Sequence, residues 1–500
     1  MSKRIAAVVF FLIFANMSFA GSEKIRRFPD GVKGEYIVVL KEKAVQAVRG
    51  TARSLAASYG GELIFIYDYA LGGFAIRLSD EAAQRMASDP RVDWIEEDQR
   101  TQVIEYGISA SRSVGEASLW HVDRTDQRYE TDGWYSYCSA GYGTTAYVLD
   151  MGVQASHPEF KVGQVKAGPN FTGYTYAANN PCQDIPISIE PEVNLAGSHG
   201  TAVAMVLAGQ TTGVAPDTTI VPVAVVNCYG QFQKRGLLAG MNWIIATTQD
   251  SQYGQPVNPD VLKRPALVNI SWGVQTGIFY EAGVYGSVEV MANDLINKGI
   301  TVITSANNYT VGSQESTDAC TEAPANMGRG ETDRLVSGTS RDGAPTPVLA
   351  RVITVGGTEL QNVWSTSEGR YRKVDYRWSG PVEASKFGSC VSIWAPARDI
   401  KVGDQYGRYY VSSGTSFAAP LVAGLVSRYL FDVRSTSYPH FDARMPDMVW
   451  SFLLQNSTTT EYNSTAAIPR NRGTDSPSRF AHRYEVATGA SCRTRPVSNP

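Results

Sequence analysis

Two patterns of hydrophobic and polar positions divide the chain. Between residues 33 and 100 short elements of both periods alternate. "EYIVVL" (35–40) reads as a strand. "KAVQAVRGTARSLAASYGG" (43–61) spaces its apolar residues as a helix does and stops at Gly60-Gly61. "ELIFIYDY" and "GFAIRL" are strands around the turn "ALGG". "SDEAAQRMASDP" predicts a helix with Ser79 and Asp80 as candidate caps, ended by Pro90, and "VDWIEED" is a last strand. The order βαββαβ predicts a small α+β unit, a split-βαβ sheet with two helices on one face. Residues 101–118 have weak periodicity and read as a linker. After Trp120 the pattern changes. Apolar runs of buried type at 144–150, 219–227, 266–272, 299–307, 350–357 and 390–396 alternate with helical stretches, notably 235–249 and 284–298. This predicts an α/β unit, a mainly parallel sheet flanked by helices. Ligand sites in such sheets lie at the carboxyl ends of the strands.

The length of 500 residues fits two or more units. With 45 basic and 48 acidic residues the net charge is −3, so there is no electrostatic footprint for a nucleic-acid partner. The first twenty residues are basic ("MSKR"), then apolar ("IAAVVFFLIFA"), then small ("SFA"), which predicts a secretory signal peptide cut near Ala20 and an extracellular protein. The apolar run is short for a membrane span, and no later segment reads as apolar enough to cross a bilayer. The cysteines are Cys138, Cys182, Cys228, Cys320, Cys390 and Cys492. None forms a CxxC pair, so a zinc ribbon is not indicated. An even count after a signal peptide predicts three disulfides, with about 15 pairings open to six cysteines.

Three stretches carry candidate chemistry. Asp150 ends the buried run "AYVLD", where an acid needs hydrogen bonds. His199 begins "HGTAVAMVLAG", an apolar helix of small residues. Ser416 lies in "SGTSFAAPLVAG", at the positive end of a helix, with Pro420 expected in its first turn. Each alone has a structural reading: a strand-end turn, a helix-start histidine, a capping serine. Together, acid, histidine and serine occur in an order known for serine-nucleophile triads, each at an element end. The other histidines offer less: His121 reads as part of a strand, His157 lies in "HPEF", and His440 and His482 sit in polar stretches.

These three stretches resemble the subtilisin family of secreted serine endopeptidases, of the proteinase K and aqualysin type: "AYVLDMGVQASHPEF", "GSHGTAVAMVLAG" and "SGTSFAAPLVAG" resemble its aspartate, histidine and serine segments. The resemblance covers nearly the whole chain after the signal. It implies a ferredoxin-like inhibitory propeptide ahead of a subtilisin-like peptidase domain. The expected divisions are a signal at 1–20, a propeptide at 21–106 with its boundary between 100 and 113, a peptidase domain at 107–484 and a tail at 485–500. Landmarks place the propeptide cut near Tyr106 or near Arg112. By the same resemblance Asp150 orients His199, His199 is the base, Ser416 is the nucleophile, and Asn307 in "VITSANN" stabilises the oxyanion. Ser271, Trp272 and Gly273 in "NISWG" and Ala306 would line the substrate cleft. Cys182–Cys228 and Cys320–Cys390 match disulfides of the aqualysin type, which leaves Cys138 and Cys492 for one another. No catalytic cofactor is implied, and a structural calcium is. The implied partners are protein or peptide substrates and the chain's own propeptide, with no nucleic acid and no membrane after signal cleavage, in a monomer.

Four positions depart from the family pattern. Met151 replaces a small hydroxyl residue, Ala202 a second histidine, Phe417 a methionine and Ala306 a glycine. None removes a reacting group. They motivate a rival reading, a catalytically impaired binding protein on the same scaffold. Sequons stand at Asn170, Asn269, Asn308, Asn456 and Asn463.

Overall fold

The computed structural model describes residues 24–102, 119–127, 130–182, 197–249, 265–276, 285–328, 336–339, 345–348, 352–366, 369–435, 444–459, 479–481 and 492–497. The signal segment, both expected propeptide cut sites and the sequon at Asn463 lie outside the described residues.

The amino-terminal unit forms as its pattern predicts. Strands Gly31–Leu40, Glu62–Tyr67, Gly73–Arg77 and Val92–Gln102 alternate with helices Val45–Tyr59 and Asp80–Ala87. Gly60, at φ +71°, ends the first helix in the left-handed conformation that glycine adopts without strain. The Ser79 hydroxyl accepts from the Ala82 N–H at 3.3 Å and caps the second helix. Both faces of this sheet are buried. Tyr36, Val38 and Leu40 point to the unit's own two helices, while Ile37 and Val39 point to the large domain. That is why "EYIVVL" reads as a continuous apolar run rather than an alternation.

The large domain is built on a sheet ordered Ser457–Thr459, Arg479–Ala481, Ile393–Pro396, Ile353–Ser365, Thr301–Ser305, Ala266–Ile270, Thr145–Asp150 and Thr219–Ala224. From Arg479–Ala481 onward, neighbours along this path are parallel. The strand from Ile353 outruns the apolar "VITVGG" and folds into a hairpin with Arg370–Arg377, which the sequence reading missed. Helix Thr415–Ser435 crosses one face, and Leu421, Val422, Leu425 and Val426 are fully buried there. This helix corrects one expectation: by length and composition it is apolar enough to cross a membrane, and it is apolar because it is a core helix with most of its surface buried inside the protein.

The two units interlock. Glu96 accepts from the Ser287 N–H at 3.4 Å at the start of helix Ser287–Asn297, and its carboxylate meets the Lys234 ammonium at 3.1 Å. Asp98 accepts from the Arg235 N–H at 2.9 Å at the start of helix Lys234–Gln249. Two carboxylates of one strand therefore satisfy N–H groups that two helices leave open. Beyond them Arg100–Gln102 leaves its own sheet and pairs antiparallel with Gln231–Gln233.

His121 is also a correction. It sits in the short helix Trp120–Asp126, not in a strand. The alternating "WHVD" fits either element. The helix wins because the Val122 and Asp123 N–H groups both reach the Leu119 carbonyl, at 3.1 and 3.3 Å. The imidazole is buried, with Nε2 3.0 Å from the Thr212 carbonyl oxygen. Burial pushes its pKa down to about 4. The folded chain therefore refuses a proton that the unfolded chain takes up near pH 6.5. This contribution to stability is present above pH 6.5 and is lost as the pH falls to about 4. The loss is about 3 kcal/mol at 1.36 kcal/mol per unit. Urea denaturation at pH 7 and pH 4 should show it in the wild type and not in His121→Gln; an equal loss in both would remove His121 as the cause.

Candidate active site

The sheet delivers its polar residues to one rim. Asp150 is the last residue of its strand, Ser271 follows Ile270 at the end of the next, and Asn307 stands two residues beyond Ser305. Asp150 is fully buried. Its carboxylate receives the Nδ1–H of His199 at 2.9 and 2.8 Å and the Met151 N–H at 2.8 Å. The main chain thus supports Asp150 where Met151 lacks a hydroxyl. His199 opens helix His199–Ala208, and the next residue must be small. A Cβ on Gly200 would come within 2.2 Å of the Gly152 carbonyl oxygen and 3.0 Å of Asp150 Oδ1. Ala202 is buried within that helix, and the Phe417 ring lies 6.2 Å from the His199 ring.

Ser416 is the second residue of helix Thr415–Ser435. Its hydroxyl donates to the Ser271 carbonyl oxygen at 3.0 Å, and the Ser271 hydroxyl donates to the Ser416 carbonyl oxygen at 3.0 Å. The second bond has a sequence cause. Pro420 lies in the second turn rather than the first, and it has no N–H for the carbonyl four residues before it. Ser271 supplies that missing donor. The pair ties the serine helix to the strand end carrying "NISWG".

Asn307 has φ +65°, a conformation asparagine tolerates better than most residues. Its side-chain Nδ2 is buried and has no hydrogen-bond partner among the described residues. Its neighbour Asn308 accepts from the Thr415 N–H at 3.1 Å and from the Thr415 hydroxyl at 2.8 Å. One asparagine thus caps the serine helix, and the other is its neighbour in the chain. Gly273 borders the same space, since a Cβ there would lie 2.8 Å from Asn307 Nδ2. The Trp272 side chain turns inward: its Nε1–H donates to the Leu149 carbonyl oxygen at 2.9 Å and its ring lies 4.1 Å from that of Phe232. Ala306 is buried against the Cys320–Cys390 region. All three disulfides form, Cys138–Cys492, Cys182–Cys228 and Cys320–Cys390. Asn269 is fully buried and bonded to the Ser271 hydroxyl, so that sequon is inaccessible.

Helix Trp120–Asp126 holds a group that the sequence reading left unmarked. The Asp123 carboxylate accepts from the Asp132 and Gly133 N–H groups at 3.0 and 2.9 Å, and Asp126 Oδ2 accepts from Ser136 at 2.6 Å. Asp126 Oδ1 is buried with no partner among the described residues. Burial, and then the charges of Asp123 and Asp132, push Asp126 up to about 8. The four acids within "DRTDQRYETD", Asp123, Asp126, Glu130 and Asp132, were the available signal. Among the described residues no three such side chains converge as a ready-made metal cluster.

Comparison with known proteins meets this geometry. The subtilase family pattern matches residues 141–460, which include Asp150, His199, Asn307 and Ser416. The chain belongs to the subtilase family. Residues 35–103 match the peptidase inhibitor I9 family, the inhibitor-type propeptide domain. This subtilase is 28% identical over 479 residues to an extracellular serine proteinase of Thermus sp. (strain Rt41A), across 90% of this chain and 89% of the relative. It is 26% identical over 444 residues to alkaline serine exoprotease A of Vibrio alginolyticus, across 87% of this chain and 66% of that longer relative. In fold it matches fervidolysin from Fervidobacterium pennivorans, a keratinolytic enzyme related to subtilisin, with a TM-score of 0.57 at 17% identity over 92% of this chain and 62% of the other. It is a subtilisin-like serine proteinase.

Proposed function

We propose that this subtilase is a secreted serine endopeptidase, made as a zymogen that cuts itself, with Asp150, His199 and Ser416 as its triad. The observation that carries the reading is the Asn307 amide, buried with no partner among the described residues and next in the chain to the asparagine that caps the Ser416 helix. Such a donor is costly to leave unmet, and a developing oxyanion would meet it. The Nδ1–H bond to Asp150 fixes the tautomer that leaves His199 Nε2 as the basic nitrogen. Ser416 turns about its Cα–Cβ bond from the Ser271 carbonyl to His199, gives up its proton and attacks the peptide carbonyl. Asn307 and the Ser416 N–H receive the oxyanion. His199 then protonates the leaving amine, and water hydrolyses the acyl-enzyme. Casein cleavage by purified protein, with and without a serine-directed inhibitor, beside Ser416→Ala, tests this; cleavage that survives both overturns it, and the binding-protein alternative requires no cleavage at all.

The strand Val92–Gln102 runs onto Gln231–Gln233, and Phe232 there packs, with its ring tilted, against Trp272 between Ser271 and Gly273. That path supports a propeptide whose carboxyl end enters the cleft and is cut near Tyr106 or Arg112; amino-terminal sequencing of the mature protein reads the site. The extracellular relative supports secretion. The family resemblance implies a structural calcium ion, but among the described residues no three acid side chains converge to hold one.

A further inference from the structure

Beside Asn307 lies a largely buried ion pair that the chemistry above does not use. A Cβ on Gly273 would meet Asn307 Nδ2 at 2.8 Å, the Ala323 carbonyl oxygen at 3.0 Å and Glu322 Oε2 at 3.2 Å. The oxyanion donor, the bare face of a glycine and a carboxylate oxygen therefore share one small volume. Glu322 is held there by its main chain, in the two-residue strand Glu322–Ala323 paired with Val274–Gln275. Its other oxygen, Oε1, is bonded to the Lys386 ammonium. Lys386 is fixed in turn, because its N–H donates to the Asn307 carbonyl oxygen at 2.9 Å. The side chains are 14% and 5% exposed. Desolvating two charges costs several kcal/mol, and an apolar pair often serves stability as well. Stability alone gives little reason for this pair.

We infer that Glu322 and Lys386 form the charged floor of the pocket that takes the side chain of P1, the residue before the scissile bond, and that they set it against charged residues. This rests on Asn307 being the oxyanion donor. A carbonyl oxygen about 3 Å from Nδ2 puts the P1 Cα roughly two bonds farther on. Its side chain then starts beside Gly273, whose missing Cβ leaves the way open to Glu322 Oε2. The pair is self-neutralising. A cationic P1 must compete with Lys386 for Glu322, and an anionic P1 with Glu322 for Lys386. Either leaves a like charge close by in a site shielded from water. An uncharged side chain leaves the pair intact. Selectivity arises from what the pocket repels.

The test is a series of chromogenic peptides identical except at P1, bearing Leu, Phe, Gln, Lys, Arg or Glu. The wild type should cleave the uncharged members at a kcat/KM about tenfold or more above the charged ones. Lys386→Met, which frees the carboxylate, should raise the Lys-to-Leu ratio about tenfold or more, and Glu322→Gln should raise the Glu-to-Leu ratio likewise. Ratios within one variant are unaffected by how much of it folds. A wild type that prefers Lys, Arg or Glu overturns the inference without any variant, and so do ratios unchanged in both variants. A wild type that cleaves neither these peptides nor casein overturns the endopeptidase reading instead.

Discussion

Ser416→Ala is expected to lower kcat by about a million-fold, the size measured for removal of the same group in subtilisin, leaving what binding and oxyanion stabilisation supply. The protein should remain folded. The lost hydroxyl makes one bond, to the Ser271 carbonyl oxygen, and the return bond from Ser271 goes to a main-chain oxygen that alanine retains. A net cost of about 1 kcal/mol is expected for that bond. The expected result is thus a dead enzyme with a nearly unchanged Tm, which also accumulates as the uncut precursor. The readouts are casein hydrolysis, labelling by a serine-directed inhibitor, and mass spectrometry of the secreted product. A processed, active Ser416→Ala protein would show that another nucleophile does the work.

Asn307→Ala should cost about 10²–10³ in kcat with little change in KM, the loss known for the corresponding donor of subtilisin. Two effects need separating. The amide donor is lost, and a residue at φ +65° is replaced by one that resists that conformation at a cost of about 1–2 kcal/mol. Asn307→Gly removes the donor without the strain. If the amide acts on the transition state, both variants lose kcat alike while only the alanine variant loses stability. Recovery of kcat in the glycine variant would assign the loss to backbone strain and withdraw the oxyanion role.

Much of this architecture is legible in the sequence where one local cause decides it. The runs "AYVLD" and "ALVNI" can only be buried strands, Gly60 and Ser79 mark helix ends, and the aspartate, histidine and serine segments stand on the expected elements. What the sequence hides depends on partners far along the chain. Glu322 and Lys386 are 64 residues apart and look like ordinary surface charges until folding joins them. "TELQNVW" is too polar to announce a strand, and it pairs because "RYRKVDYR" turns back on it. Pro420 reads as a first-turn proline until Ser271 proves to satisfy the carbonyl it leaves open. His121 sits in a stretch short enough to fit either period.

The carboxyl-terminal segment carries a consequence for survival among copies of itself. Arg493–Pro496 pairs with Trp134–Tyr137, Leu119 bonds the Val497 carbonyl, and Cys138 is bonded to Cys492. Residues 492–497 are therefore fastened to residues 119–138. Frayed ends are where a protease is most readily nicked by its neighbours. Here a single nick in the chain between the two cysteines severs nothing: the pieces stay joined through sulfur, and the clipped strand remains where it can pair again.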